Sequence, residues 1–273
     1  MEQLFLFLSF VFGTIIGSFL NVVILRLPQE ESLLGRSHCT HCGHELGPLD
    51  LVPVLSFVLL GGRCRYCKKK FSARYALIEI ITGLAFLAVT AVLMPQSALG
   101  WLELVRALFF VGLLIVVFAI DFEHFLILDT VVVPGLVLLL AINAVLDIGL
   151  HQFLSLHGYV ISGLLGAVAG SLPFYALWLI SKGKWMGFGD VKYMLLLGVA
   201  LGLKMVGVAL LVAFFLGALV SIFLLAVKKK HMSSQVPFGT FLSTGAFITL
   251  LWGPSLLAWY LSLLGFNGII NVR

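Results

Sequence analysis

Two aspartates lie where long apolar stretches of the sequence end or begin. Asp121 closes the run 113–120, and Asp190 opens another run directly after a Gly-Phe-Gly triplet. Paired carboxyl groups can hydrolyse an amide by sharing one proton, because the ionised member takes a proton from water while the protonated member donates to the carbonyl oxygen. Asp121 and Asp190 are therefore candidate catalytic residues. Two structural alternatives stay open: Asp190 as the N-cap of its helix, and Asp121 as a snorkelling residue at the membrane boundary.

The two glycines before Asp190, Gly187 and Gly189, are candidates for supporting the same site through their backbone. They flank a single residue. A glycine-rich, non-helical backbone of this kind is tolerated at membrane depth only where it is buried in protein or lines a water-filled cavity. Glycine also lets a substrate backbone approach closely. The apolar span that follows, 191–203, has 13 residues, about 20 Å of helix. This predicts a water-accessible depression around Asp190.

All four cysteines lie in one polar and basic stretch, 28–75, as C-x2-C, 21 residues, and C-x2-C. Two such knuckles can hold four thiolates at the corners of a tetrahedron, which suits zinc, and four sulfur ligands leave no open position, so this zinc would be structural. A disulfide framework is the alternative, and a reducing compartment disfavours it. The predicted ligands are Cys39, Cys42, Cys64 and Cys67, in preference to the nearby His38, His41 and His44, which we interpret as solvated.

The elements that position these residues are membrane helices. Of 273 residues, 61% are hydrophobic and 11% are charged, whereas a soluble domain has about 45–50% and about 25%. This excludes a soluble enzyme, a disordered segment and a disulfide-stapled secreted module. Continuous apolar runs favour helices over a β-barrel, so we predict an all-α polytopic membrane protein of about eight transmembrane helices with a small cytoplasmic zinc-binding insert between helices 1 and 2. The predicted spans are about 4–25, 76–94, 104–121, 130–148, 159–181, 191–203, 205–227 and 241–264.

Composition divides the chain into a first transmembrane helix (1–27), the four-cysteine insert (28–75) and a helical membrane core (76–273). The first helix is expected to be an anchor and not a cleaved signal peptide, because it lacks a basic start and a small-residue cleavage site.

Charge predicts the orientation of the chain. The loops on the side of the insert hold fourteen Lys and Arg, including Lys228, Lys229 and Lys230, against three on the other side. The positive-inside rule then puts the insert in the cytoplasm and both termini outside. Asp121 and Asp190 would lie together at the cytoplasmic face. The orientation of the chain in the membrane explains the excess of basic residues, so no nucleic-acid partner is predicted. The three residues on the other side are Arg106, Lys204 and Arg273.

Three further acids fall in or near the spans, where charge is costly. Glu103 and Asp147, near outer ends, are expected to be solvated carboxylates. Glu79 lies about one turn inside the second span, and we expect it to pair with a basic residue of the insert or to line a cavity.

Five segments of the chain carry recognisable motifs: Gly17–Pro28, the four-cysteine insert, Asp121–Asp129, Gly187–Lys192 and Pro237–Gly239. Together they resemble the type IV prepilin peptidase family, the GxGD membrane aspartic peptidases, over nearly the whole chain. The resemblance implies that Asp121 and Asp190 are catalytic. Two residues depart from the family pattern: Leu128 stands where Pro is usual, and Thr240 stands where Pro commonly follows Phe-Gly.

The resemblance implies an endopeptidase in the bacterial inner membrane that removes the leader of prepilins and pseudopilins at the cytoplasmic face. It cuts after a Gly and before a residue that is usually Phe. Bacterial members with the cysteine insert also methylate the new N-terminal amine with S-adenosylmethionine. The implied partners are prepilin and pseudopilin substrates and the lipid bilayer, while the oligomeric state is not predicted.

The methyl-donor site is not readable from the sequence. Asn21, Arg26 and Glu79 are candidates because they lie near the insert side of the membrane. An interhelical hydrogen bond for Asn21 and a positive-inside anchor for Arg26 are the structural alternatives. For the whole chain, the alternatives are a peptidase without methyltransferase activity, a transporter or channel, and a zinc-bearing scaffold.

Overall fold

The computed structural model describes residues 1–152, 155–227 and 237–265, and the regular elements within these ranges are helices, as predicted. Lys228, Lys229, Lys230 and Arg273, which enter the charge count, lie outside the described residues. The helices are α1 (Glu2–Arg26), α2 (Leu55–Leu59), α3 (Arg74–Val92), α4 (Ala98–His124), α5 (Asp129–Gly149), α6 (Tyr159–Ser181), α7 (Phe188–Ala226) and α8 (Phe238–Leu263).

Seven of the described helices, all except the short α2, are long and apolar enough to cross a membrane. Helix α4 begins earlier than predicted because Ser97 caps it, with its Oγ accepting a hydrogen bond from the Gly100 amide at 3.1 Å. The predicted sixth and seventh spans both fall within α7, which has 39 residues.

Helix α7 folds back on itself at Gly202. This residue has φ 77° and ψ 172°, a conformation that is essentially restricted to glycine. In a straight helix Met194 and Val206 would lie about 18 Å apart along the axis. Instead, their side chains lie 2.8 and 3.1 Å from one point, the place that a Cβ on Gly170 of α6 would occupy. The two arms of α7 therefore correspond to the sixth and seventh predicted spans.

Two side chains pair with backbone carbonyls near this break. Asn143 Nδ2 donates to the Val199 carbonyl at 3.0 Å, and the Arg106 guanidinium donates to the Ala200 carbonyl. Arg106 Nε also donates to Asn143 Oδ1. Buried carbonyls without helical partners need such donors, so Arg106, counted above only as an outer charge, stabilises the turn between the two arms.

The expectation that Asp147 is a solvated carboxylate is wrong. Asp147 is fully buried, and its two oxygens accept hydrogen bonds from the Tyr159 amide at 2.7 Å and the Val160 amide at 2.8 Å. These amides belong to the first turn of α6, which has no helical acceptors for them. Glu103 is half-buried and accepts a hydrogen bond from the Tyr159 hydroxyl at 2.6 Å. Both acids are therefore bound to the start of α6.

The chain forms two compact units, Met1–Met94 and the part from Pro95 onward. In the first unit α1 packs on α3 through small residues, since a Cβ on Gly13 would lie 2.8 Å from the Gly83 Cα. Small residues let membrane helices approach closely. Helix α3 therefore belongs to the same compact unit as α1. The division by composition into 1–27, 28–75 and 76–273 stays a prediction.

Replacing Gly202 by alanine should lower stability. The new Cβ would be strained at φ 77° and would lie 2.7 Å from Ser162 Oγ, so we expect a loss of about 1–3 kcal/mol, measured by thermal unfolding in detergent. Gly207→Ala is the matched control, because a Cβ there meets nothing within 4 Å and alanine favours helix. Equal unfolding temperatures for Gly202→Ala and wild type would contradict the reversal at Gly202.

Candidate active site

Asp121 lies in the last turn of α4, and its side chain is buried. The amides of Thr240, at 3.0 Å, and Gly239 donate hydrogen bonds to its carboxylate. Both amides belong to the first turn of α8, where the N–H groups have no helical acceptors and the helix dipole favours negative charge. The carboxylate of Asp121 is therefore held at the end of one helix by the start of another.

Asp190 lies in the first turn of α7 and is half-buried. The N-cap of this helix is Gly187, so Asp190 is the third helical residue and not the cap itself. Its carboxylate accepts a hydrogen bond from the Gly187 amide, the reach of a capping-box acid. Asp190 therefore stabilises the helix start and still presents a carboxylate there.

The two aspartates come together. Gly189, the neighbour of Asp190, and Gly239, which lies against the Asp121 carboxylate, both pack on Ile127, although 69 positions separate the two aspartates in the chain. The aspartates belong to different helices, and each carboxylate lies at a helix N-terminus. An acid pair that shares a single proton is the arrangement that amide hydrolysis needs, and these two carboxyl groups lie at neighbouring helix ends.

Ile127, in the loop after α4, fixes how closely the three helix ends approach. A Cβ on Gly189 would lie 3.0 Å from Ile127 Cβ, and a Cβ on Gly239 would lie 3.1 Å from Ile127 Cδ1 and 2.8 Å from Asp121 Oδ2. At Gly187 the nearest atoms are 3.9 Å away. The two predicted glycines are therefore not equivalent: a side chain at position 189 would crowd Ile127, whereas position 187 has room.

Gly239 is a site residue that the sequence reasoning did not assign. It stands in the quoted segment Pro237–Gly239, so a signal existed, but its role depends on contact with a residue more than a hundred positions away. The other acids near Asp121 lie at the surface: Glu123 is exposed, and Asp129 is exposed and paired with Lys192 of α7. Leu128, where the family usually has Pro, has φ −84°, which is near the proline value. The backbone at Leu128 is therefore compatible with proline.

In the first unit the four cysteines form one cluster. Their sulfur atoms lie within 4.8 Å of one another, and Cys39 and Cys67 are 3.9 Å apart. A disulfide has sulfurs about 2.05 Å apart, whereas zinc–sulfur bonds of about 2.3 Å give a tetrahedron with edges of about 3.8 Å. The cluster fits a four-coordinate metal ion. His38, His41 and His44 are exposed and outside this cluster.

The two cysteine knuckles have the same backbone design. The Gly43 amide donates to the Cys39 carbonyl at 2.9 Å, and the Lys68 amide donates to the Cys64 carbonyl at 3.0 Å. Gly43 and Lys68 both have positive φ, 69° and 60°, so each chain turns sharply after its second cysteine. The repeated turn brings the sulfurs of each pair to one side.

A salt bridge holds the second knuckle against the turn at Asp50. Arg65 Nε donates to Asp50 Oδ1 at 2.6 Å, and the Tyr66 hydroxyl donates to Asp50 Oδ2 at 3.3 Å. The neighbouring guanidinium lowers the pKa of the Asp50 carboxyl below its ordinary value. This pairing connects the second knuckle to the turn at Asp50.

The same unit contains a cavity of about 300 Å³ between α1, α3 and the insert. Asn21, Arg26 and Glu79, the three candidates for the methyl-donor site, all line it. Glu79 pairs with the Val54 backbone amide at 2.7 Å.

Comparison with known proteins gives a family match within each of the two units. Residues 11–93 match the bacterial peptidase A24 N-terminal domain, and residues 108–222 match the type IV leader peptidase family. A prepilin leader peptidase/N-methyltransferase of Aeromonas hydrophila is 35% identical over 95% of this chain and 94% of its own length. Proteins of the same description from Pseudomonas putida and Pseudomonas aeruginosa are 33% and 31% identical, over 96% of both chains in each case.

No solved structure matches the chain. The family matches follow the two compact units closely, since the first ends at residue 93 and the first unit ends at Met94. With 35% identity to a relative over 95% of its length, the chain belongs to the type IV leader peptidase family.

Proposed function

We propose that this protein removes the leader peptides of type IV prepilins and pseudopilins, cutting after Gly at the cytoplasmic membrane face, with Asp121 and Asp190 as the catalytic pair. The observation that carries the proposal is the convergence of three helix ends on Ile127, which brings Asp121 and the segment of Asp190 together. Family membership and the names of the relatives support the substrate class.

In the proposed reaction one aspartate is ionised and takes a proton from a water molecule as that water attacks the scissile carbonyl carbon. The other aspartate is protonated and donates its proton to the carbonyl oxygen. When the C–N bond breaks, the protonated aspartate gives its proton to the leaving amine, and the other aspartate takes a proton from a hydroxyl of the tetrahedral intermediate, so the pair is again singly protonated. The amides of Gly239 and Thr240 keep the Asp121 carboxylate in place during both proton transfers.

The relatives' printed names support a second activity, methylation of the new N-terminal amine. S-adenosylmethionine is the proposed methyl donor, and a peptidase without this activity is the alternative. The cysteine cluster is the proposed site of a structural zinc ion, because its sulfur spacing fits four thiolate ligands.

The protein is a multi-pass inner-membrane protein, as its apolar helices and its relatives indicate. We assign the insert and the aspartate pair to the cytoplasmic side and both termini to the outer side on the charge count alone. A prepilin would then present its leader to the side that holds the aspartates, while its apolar helix stays in the bilayer.

Asp121→Asn and Asp190→Asn should each abolish leader cleavage. Each change removes one proton carrier and keeps the side-chain size, so we expect a loss of about 10²–10⁴-fold in rate, measured with a purified prepilin in detergent. Glu123→Gln is the matched control, because Glu123 is an exposed acid two residues from Asp121. This variant should cleave at the wild-type rate. Near-normal cleavage by either Asn variant would refute the catalytic pair.

Thr240→Pro should leave leader cleavage within about tenfold of the wild-type rate. Proline removes one amide that donates to Asp121, but it is tolerated in a first helical turn, the Gly239 amide still donates, and family members commonly have proline at this place. The rate is measured with a purified prepilin in detergent, with Thr240→Ala, which keeps the amide, as the control. A loss of more than a hundredfold for Thr240→Pro alone would contradict this shared support of Asp121.

Metal analysis of the purified protein should find about one zinc ion per chain. Cys64→Ser should lose the ion and lower the unfolding temperature, because the insert has few other contacts that would fold it. His41→Ala, which alters an exposed histidine beside Cys42, should keep the ion. Two disulfides per chain by mass spectrometry, or a zinc-free wild type, would contradict the assignment.

A further inference from the structure

Tyr193 places a hydroxyl group in the apolar interior of the second of the two compact units. It lies in α7, three residues after Asp190, and it is fully buried. A buried tyrosine hydroxyl needs a hydrogen-bond partner, whereas a phenylalanine would fill nearly the same volume without one. The peptidase chemistry described above does not use this hydroxyl, so its partners indicate its role.

The Tyr193 hydroxyl starts a chain of two hydrogen bonds that ends on α8. Its oxygen lies 2.7 Å from Ser243 Oγ, and Ser243 Oγ donates to the Gly239 carbonyl at 2.8 Å. A serine hydroxyl has one hydrogen to donate. Because that hydrogen goes to the carbonyl, Tyr193 is the donor and Ser243 the acceptor in the first bond. Ser243 is 2% exposed, so both bonds are shielded from bulk water.

Gly239, where the chain ends, is the residue that lies against Asp121. Its amide and that of Thr240 donate to the Asp121 carboxylate, and a Cβ on Gly239 would lie 2.8 Å from Asp121 Oδ2. The other end of the chain, Tyr193, is about one helical turn after Asp190. The two hydroxyls therefore join the helix start that carries Asp190 to the helix start that holds Asp121.

Packing and hydrogen bonding act differently at this junction. Gly189 of α7 and Gly239 of α8 both pack on Ile127, which limits how closely the helix ends approach. Apolar contact is non-directional, whereas an O–H···O hydrogen bond needs a distance of about 2.5–3.0 Å and a restricted range of angles. The chain from Tyr193 therefore restricts the register of α8 along α7 more strictly than packing on one isoleucine does.

From this chain we propose that Tyr193 and Ser243 are positioning residues for the aspartate pair. They hold the first turn of α8 where its amides meet Asp121, and they act through α8 without touching the substrate. The proposal rests on the catalytic pair proposed above and adds the side chains that set its geometry. Because a displacement of about 1 Å can cost about 10²-fold in rate, a loosened α8 slows cleavage even in a protein that stays folded.

Tyr193→Phe tests the proposal, because it removes only the hydroxyl and leaves Ser243 bonded to Gly239. With a purified prepilin in detergent, we expect kcat to fall about tenfold and KM to stay within about twofold of wild type. The inhibition constant of a prepilin peptide with a hydroxyl group at the scissile position should rise by about the same factor as kcat falls, because such a ligand needs both acids in place. Tyr175→Phe is the matched control, since Tyr175 is an exposed tyrosine of α6, and it should leave both constants unchanged.

Ser243→Ala separates catalysis from stability. This change leaves the Tyr193 hydroxyl buried without its partner, so kcat and the unfolding temperature should both fall. The double variant Tyr193→Phe/Ser243→Ala removes both hydroxyls, so its unfolding temperature should recover while kcat stays about tenfold below wild type. Ser171→Ala is the control, because the Ser171 hydroxyl is buried in α6 and donates to the Val168 carbonyl of its own helix at 3.5 Å, and it should keep the wild-type kcat.

The outcomes distinguish this proposal from the proposed function. If Tyr193→Phe and the double variant both cut with the wild-type kcat, the hydroxyls only stabilise the fold, and the positioning role is overturned while the catalytic pair stands. If Asp121→Asn and Asp190→Asn cut normally, the catalytic pair fails and the positioning role fails with it. Should Ser243→Ala not fold, Tyr193→Phe decides alone, because its serine keeps the bond to Gly239.

Discussion

The peptidase unit depends on stabilising a carboxylate inside an apolar helical bundle. Burying such a group without partners is costly, and the first turn of α8 supplies amide donors to Asp121. This single interaction sets where α4 ends, where α8 must begin, and why position 239 carries no side chain. The placement of Asp190 follows, since Gly189 and Gly239 both pack on Ile127.

The same need to pair polar groups shapes the opposite end of the unit. The reversal of α7 at Gly202 is accompanied by donors from Arg106 and Asn143 to two nearby carbonyls, and the amides at the start of α6 are capped by Asp147. In water these groups could be solvated, but within a membrane they must find partners in the protein. At both ends, polar groups near helix termini are therefore paired within the protein.

Local patterns predicted much of this architecture. The apolar runs predicted the helices, the cysteine spacing predicted the metal-competent cluster, and the two aspartates at run boundaries predicted the candidate pair. Each of these signals lies within a short stretch of chain. The predicted spans 191–203 and 205–227 correspond to the two arms of α7, although the break lies at Gly202.

What the sequence did not reveal depends on distant partners. Asp147 and Arg106 looked like outer charges until α6 and α7 were placed beside them, and Gly239 had no assigned role until Asp121 lay against it. The central claim is that Asp121 and Asp190 act together at one scissile bond. An electron cryo-microscopy map of the protein with a prepilin peptide carrying a hydroxyl group at the scissile position tests this most directly. Both carboxyl groups should lie about 3 Å from that hydroxyl, and a map in which only one of them reaches it would contradict the account.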